Sequence, residues 1–190
     1  MHRTLDRSTL PYTALFCEEN IWQLARLLTQ SGVSVAAQWV LLITNPGQQV
    51  LMLAQRAAGD VGYVVWDYHV VLLVRLPEGD LIFDPDTELP FPVEAATYLN
   101  ASFPEDAVLP EMLRARVRRI PAAEFLRRFW SDRSHMVGTL APGHFPPWPP
   151  ITPECADAIT LATYRDSEAA LDDGSVVSTP GELLRWLTSA

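Results

Sequence analysis

The chain has 190 residues, 48% of them hydrophobic and 19% charged. That is enough for one sizeable core and too little for two. The net charge is −9 and every basic residue is an arginine, which excludes Schiff-base lysines and a P-loop lysine and argues against nucleic acid as a partner. No stretch approaches the roughly 20 apolar residues of a membrane span. The opening Met1–Arg7 leads into no apolar signal run, so a soluble cytoplasmic protein is expected, as a monomer, with no membrane partner. Two cysteines and four histidines are too scattered for zinc spacing, so neither a structural metal nor a cofactor is expected.

In chain order, residues 1–16 read as an extended or irregular lead-in. From Glu18 the pattern is helical, with Ile21, Leu24, Ala25 and Leu28 on one stripe and Gly32 as the stop. Gln38–Thr44 reads as a strand, Asn45-Pro46-Gly47 as a turn, and Gln49–Ala54 as a second strand. Tyr63–Leu76 carries the strongest β pattern. Pro77-Glu78-Gly79-Asp80 turns it back into Leu81–Asp84. Pro92–Leu99 reads as a short helix, Arg114–Ile120 as a strand whose alternating arginines suit a wet face, and Pro121–Trp130 as a helix. Ser131–Met136 is polar and irregular. Residues 142–153 hold a proline-rich surface crossing, and Ser178-Thr179-Pro180 caps a last helix over Gly181–Leu187. Strands following strands through tight turns predict a single α+β domain with a mainly antiparallel sheet over residues 1–190.

Three residues suggest chemistry. Cys17 directly precedes the helix that opens with Glu18-Glu19, and a helix N-terminus favours a thiolate and offers N–H groups to an oxyanion. The same position suits a small buried side chain with no chemistry. His69 lies on the long strand. Alternation places Asp67, His69, Val71 and Leu73 on one face and Trp66, Tyr68, Val70 and Leu72 on the other. A buried imidazole there serves either a nucleophile and an orienting acid, or the backbone alone. The midpoint between His69 and Asp84 falls at Leu76-Pro77, beside the turn, so a hairpin brings their side chains near each other. Asp86 shares the parity of Asp84, and spacing does not choose between them. A cysteine, a histidine and an acid in this order form a nucleophile, a proton shuttle and an orienting carboxylate.

The run Cys17-Glu18-Glu19-Asn20-Ile21-Trp22 closely resembles the cysteine motif of the protein N-terminal glutamine amidohydrolase family. Trp66-Asp67-Tyr68-His69-Val70-Val71-Leu72-Leu73, the run from Asp84 to Pro92, and the run from Ser131 to Met136 resemble its further motifs, in the family's order. The proline-rich stretch has a family counterpart, and the likeness fades after Pro153. The resemblance implies removal of the side-chain amide of an N-terminal glutamine, giving glutamate and ammonia. It also implies a papain-like or transglutaminase-like core, with Cys17 as nucleophile, His69 as base and Asp84, the first aspartate of its motif, as acid. The implied partners are protein or peptide N-termini bearing glutamine.

Selectivity for a free N-terminus needs a carboxylate that reads the α-ammonium. Asp67, on the face assigned to His69, is the first candidate. Glu18 and Glu19 are others, although both suit a helix N-terminus without any substrate. Trp66 and Tyr68 are candidates for the pocket wall or for plain core. His135 either contacts the site or fixes its own loop. The rival functions are a transglutaminase-like acyltransferase or a cysteine peptidase using the same triad, and a non-catalytic module that binds N-termini.

Overall fold

The computed structural model describes residues 6–153 and 155–189. The lead-in expected over 1–16 falls partly outside them. From residue 6 it is irregular, apart from a 3-10 turn at Arg7–Thr9. The first helix, α1, spans Cys17–Gln30 and buries Ile21, Leu24, Ala25 and Leu28. Gly32, at φ +97°, lets the chain leave it in a conformation that other residues adopt only with strain. Strands β1 (Gln38–Thr44), β2 (Val50–Leu53), β3 (Tyr63–Trp66), β4 (His69–Leu76), β5 (Gly79–Phe83) and β6 (Val93–Glu94) follow. Then come α2 (Ala95–Ser102), β7 (Arg116–Pro121), α3 (Ala122–Arg128) and β8 (Phe129–Trp130). The chain continues through β9 (Ile159–Thr160), α4 (Leu161–Arg165), β10 (Val176–Ser178) and α5 (Pro180–Thr188), the last opened by a Thr179–Glu182 capping box.

The result is one α+β domain. Its main sheet is antiparallel in the order β10-β7-β1-β4-β5-β6. Side chains alternate across β1 and β4, so the sheet is packed on both faces. Val40, Leu42, Val70, Leu72 and Val74 join α1, α3 and α4 in one apolar cluster. Leu41, Ile43, Val71, Leu73 and Ile82 join α2 and α5 in the other. Burial on both faces explains why β4 reads as an unbroken apolar run. Among the described residues no helix is long and apolar enough to cross a membrane.

Several elements differ from the sequence reading. Tyr63–Leu76 is two strands: β3 pairs with β2 in a separate two-stranded sheet, and the chain enters the main sheet only at His69. The strand at Gln49–Ala54 therefore turns away from β1 to pair with β3. The helix expected at Pro92–Leu99 starts later, because Glu94 caps it by accepting from the Ala96 and Thr97 amides. Arg118 is not on a wet face. It is 1% exposed and donates to the carbonyls of Tyr164, Asp166 and Ala169 and to Ser175 Oγ, which pins the segment after α4 to β7. Nor does the proline-rich stretch merely cross the surface. Phe145 packs on Phe16 at 5.7 Å, Trp148 Nε1 donates to Glu19 at 2.7 Å, and Ile151 is buried.

Candidate active site

The site forms where β5 leaves β4. The two strands pair from Leu76↔Gly79 to Leu72↔Phe83, whereas β1 follows β4 on to His69. Past Phe83 the pairing of β5 with β4 ends, and α1 packs against β4. Cys17, the first residue of α1, is half-buried there, and the backbone N–H of Val70 faces its sulfur. Cys155, the second free thiol, lies instead against the Arg127 carbonyl.

His69 is 2% exposed, and its Nε2 donates to Asp84 Oδ1 at 3.0 Å. With Nε2 held, Nδ1 is the ring nitrogen left for another partner. Asp84 is fully buried and fully engaged. Besides His69, it accepts from the Asp86 amide at 2.9 Å, Gln55 Nε2 at 3.1 Å and Tyr98 Oη at 2.8 Å. Burial opposes ionisation of Asp84, but His69, Gln55 and the Asp86 amide outweigh it and hold the carboxyl below its usual range. Burial also works against the imidazolium, yet Asp84, with a smaller share from Asp86, raises His69 above its ordinary value. Of the two aspartates that spacing leaves open, Asp84 is the one bonded to the ring. Asp86 sits close by and accepts from Tyr12 Oη.

The thiol behaves differently from the helix-end expectation. Burial pushes the Cys17 thiol well up, and the Glu18 and Asp86 carboxylates push it further, while the Val70 amide opposes them weakly. Glu18 Oε2 accepts from the sulfur at 3.6 Å. Burial and two nearby carboxylates outweigh the partial charge of one helix end and favour the thiol over the thiolate.

Trp66 and His69 lie on one side, not on opposite faces as strand alternation implied. The break between β3 and β4 lets the indole stack on the imidazole, with centroids 5.7 Å apart and planes within 15°. Asp67 falls in that break and shares no strand face with His69. It is exposed and pairs with Arg165 at 3.1 Å. Tyr68 is buried on the α1 side and donates to Glu18 Oε2 at 2.9 Å. The side chain of His135 lies outside the described residues.

Residues to which sequence reasoning gave no role, Gln55, Tyr98, Arg133 and Trp148, hold this arrangement in place, and Glu19, a candidate for the α-ammonium, is engaged by two of them. Glu19, fully buried, accepts from Ser131 Oγ at 2.6 Å, from Arg133 Nε and Nη2 at 2.7 Å each, and from Trp148 Nε1 at 2.7 Å. Arg133 does so with φ +55°, a conformation costing roughly 1–2 kcal/mol for a residue with a Cβ. Ser131-Asp132-Arg133 is uniformly polar and gave no sign of burial, since the partner of Arg133 lies 114 residues away. Gln55 and Tyr98 carried no signal of their own.

Comparison with known proteins agrees with the geometry. The family model described as N-terminal glutamine amidase matches residues 12–184. The chain is 35% identical to Protein N-terminal glutamine amidohydrolase of Homo sapiens, over 75% of this chain and 71% of that one. It is 33% identical to the protein of that name from Bos taurus, over 92% and 86%, and 30% identical to that from Arabidopsis thaliana, over 97% and 90%. A match across nearly the whole fold, including every element that shapes the site, makes this chain a member of the N-terminal glutamine amidase family.

Proposed function

We propose that this protein hydrolyses the side-chain amide of glutamine at the N-terminus of proteins and peptides, releasing ammonia and leaving N-terminal glutamate. What supports the reading is the Asp84–His69 pair at 3.0 Å, with the half-buried Cys17 sulfur against the backbone N–H of Val70, the residue after His69, in a chain of this family. As the sulfur of Cys17 attacks the carboxamide carbon, its proton passes to Nδ1 of His69, and the carbonyl electron pair moves onto oxygen. Backbone N–H groups in the first turn of α1 stabilise that oxyanion. Collapse of the tetrahedral adduct breaks the C–N bond, and the imidazolium returns the proton to the departing ammonia. A water, deprotonated by His69, then splits the γ-glutamyl thioester and restores the thiol. Asp84 holds the tautomer throughout and supports the transient imidazolium.

The test offers synthetic peptides bearing N-terminal Gln, N-terminal Asn, N-acetyl-Gln and internal Gln, and measures ammonia. Release from N-terminal Gln alone is the expected result. Incorporation of an added amine in place of hydrolysis points to an acyltransferase, backbone cleavage to a peptidase, and binding without ammonia to a recognition module. Each of these outcomes overturns the proposal.

A further inference from the structure

Five carboxylates surround or approach the site, and four are already engaged. Asp84 holds His69, Glu19 holds Arg133, Asp67 holds Arg165, and Asp86 accepts from Tyr12. Glu18 is different. It is 0% exposed, and its Oε2 takes one hydrogen bond from the Tyr68 hydroxyl and a weaker one from the Cys17 thiol. Its Oε1 is buried and accepts no hydrogen bond from another residue. No arginine or histidine pairs with it among the described residues. An ionised carboxylate buried without a cation is costly, and a buried acceptor without a donor adds to that cost. Such a group beside a nucleophile has the form of half an ion pair.

We propose that Glu18 reads the free α-ammonium of the substrate, with Oε1 as the oxygen left open for it. The inference rests on the amidase reading above and adds what selects an N-terminal glutamine over an internal one. The chemistry fits in reach and in charge. In glutamine the α-nitrogen lies four bonds from the carboxamide carbon that Cys17 attacks, and Glu18 is the residue next to Cys17. Oε1 shares its carbon with Oε2, which stands 3.6 Å from the sulfur. An ammonium contributes the cation and donors that Oε1 lacks, whereas an acetylated or internal glutamine contributes neither. Burial raises Glu18 to about 7, with Tyr68 and its own amide opposing and Glu19 adding to the rise. A raised carboxyl of this kind gains more from an arriving cation than an exposed one, because the cation offsets the burial that raises it. Asp67 fits the role less well, because it is exposed and already paired with Arg165.

The experiment compares two peptides of one sequence. One begins with glutamine. The other begins with a glutaramoyl cap, which keeps the carboxamide and lacks only the α-amino group. For the wild-type protein, kcat/KM for ammonia release favours the glutamine peptide by about 10- to 100-fold, the size of a hydrogen bond to a charged group. In Glu18→Gln that preference falls to near unity. Equal loss on both peptides with the preference intact overturns the proposal and leaves Glu18 a purely structural part of the site. If Glu18→Gln turns over neither peptide, calorimetric binding of both to Cys17→Ala and to Cys17→Ala/Glu18→Gln decides the matter. Preference retained in the double variant overturns the assignment, and preference lost supports it. A wild-type protein that releases ammonia from neither peptide fails in the amidase reading itself, a result distinct from any behaviour of Glu18.

Discussion

Glu19 and Arg133 meet across 114 residues of chain in a two-point ion pair, Nε to Oε1 and Nη2 to Oε2, both at 2.7 Å. Both side chains are buried, so neither charge is compensated if the other is removed. Arg133→Ala is expected to cost about 3–5 kcal/mol, the range for breaking a buried pair. Urea unfolding reads the loss directly, and a change below about 1 kcal/mol counts against a stabilising role for the pair. Trp148→Phe keeps an aromatic ring, though a smaller one, and deletes one donor to Glu19, so its expected cost is smaller, about 1–2 kcal/mol.

Asp84 holds His69 in one tautomer while Gln55, Tyr98 and the Asp86 amide hold Asp84. Asp84→Asn keeps the shape but removes the charge and permits the wrong tautomer. A drop in kcat of order 10²–10⁴ with a small change in KM is expected. Tyr98→Phe removes one of four hydrogen bonds and is expected to lower kcat about tenfold. Steady-state kinetics separate the two. Near-normal turnover in Asp84→Asn contradicts the orienting role.

The raised thiol of Cys17 predicts its reactivity. In a Cys155→Ser background, alkylation of Cys17 by iodoacetamide is expected to be slow at pH 7 and to climb with pH beyond 9, because burial, Glu18 and Asp86 disfavour the thiolate. A preformed thiolate–imidazolium pair gives the opposite result, a rate that levels off near neutrality. Cys17→Ala is expected to abolish ammonia release and to leave the melting temperature close to that of the wild type.

Glu18 links function to stability through its proton. Its folded pKa of about 7 lies above the ordinary 4.5, so the native state binds more protons between those values. The stability this group contributes is full below about pH 4.5 and is lost as pH rises through about 7. Glu18→Gln removes that loss. The variant is expected to be more stable than the wild type at pH 8, by an amount of order 2 kcal/mol, with the gap closing towards pH 5. Thermal melts at the two pH values measure it. A variant less stable than the wild type at pH 8 contradicts a costly buried carboxylate.

The local elements of this fold were legible because their signals are local. The apolar stripe from Ile21 to Leu28 gave α1, and Gln38–Thr44 gave β1 with the observed ends. The turn at Pro77-Glu78 gave the hairpin that carries His69 towards Asp84. The continuous β pattern from Tyr63 to Leu76 hid a change of sheet at Asp67-Tyr68, since β propensity does not record which partner a strand takes. That one break reversed the expected placement of Trp66 and removed Asp67 from the histidine's face. The charge of Arg118 also read as a surface feature, and the pairing of Glu19 with Arg133 gave no local signal, because their partners come from remote segments. The raised thiol escaped sequence reasoning for a related reason: the helix end is visible in sequence, and the burial that chiefly raises the thiol, with the closeness of Asp86, is not.

The step from β3 to β4 has an evolutionary consequence. The imidazole is fixed by the six-stranded ladder, while the indole stacked on it belongs to a small hairpin whose other face leaves Tyr63 and Val65 exposed. Exposed positions of that kind accept new side chains at little cost in stability. Variation can therefore accumulate on the hairpin, remodelling what lies beside the reaction, while the ladder that keeps proton donor and acceptor in register stays untouched.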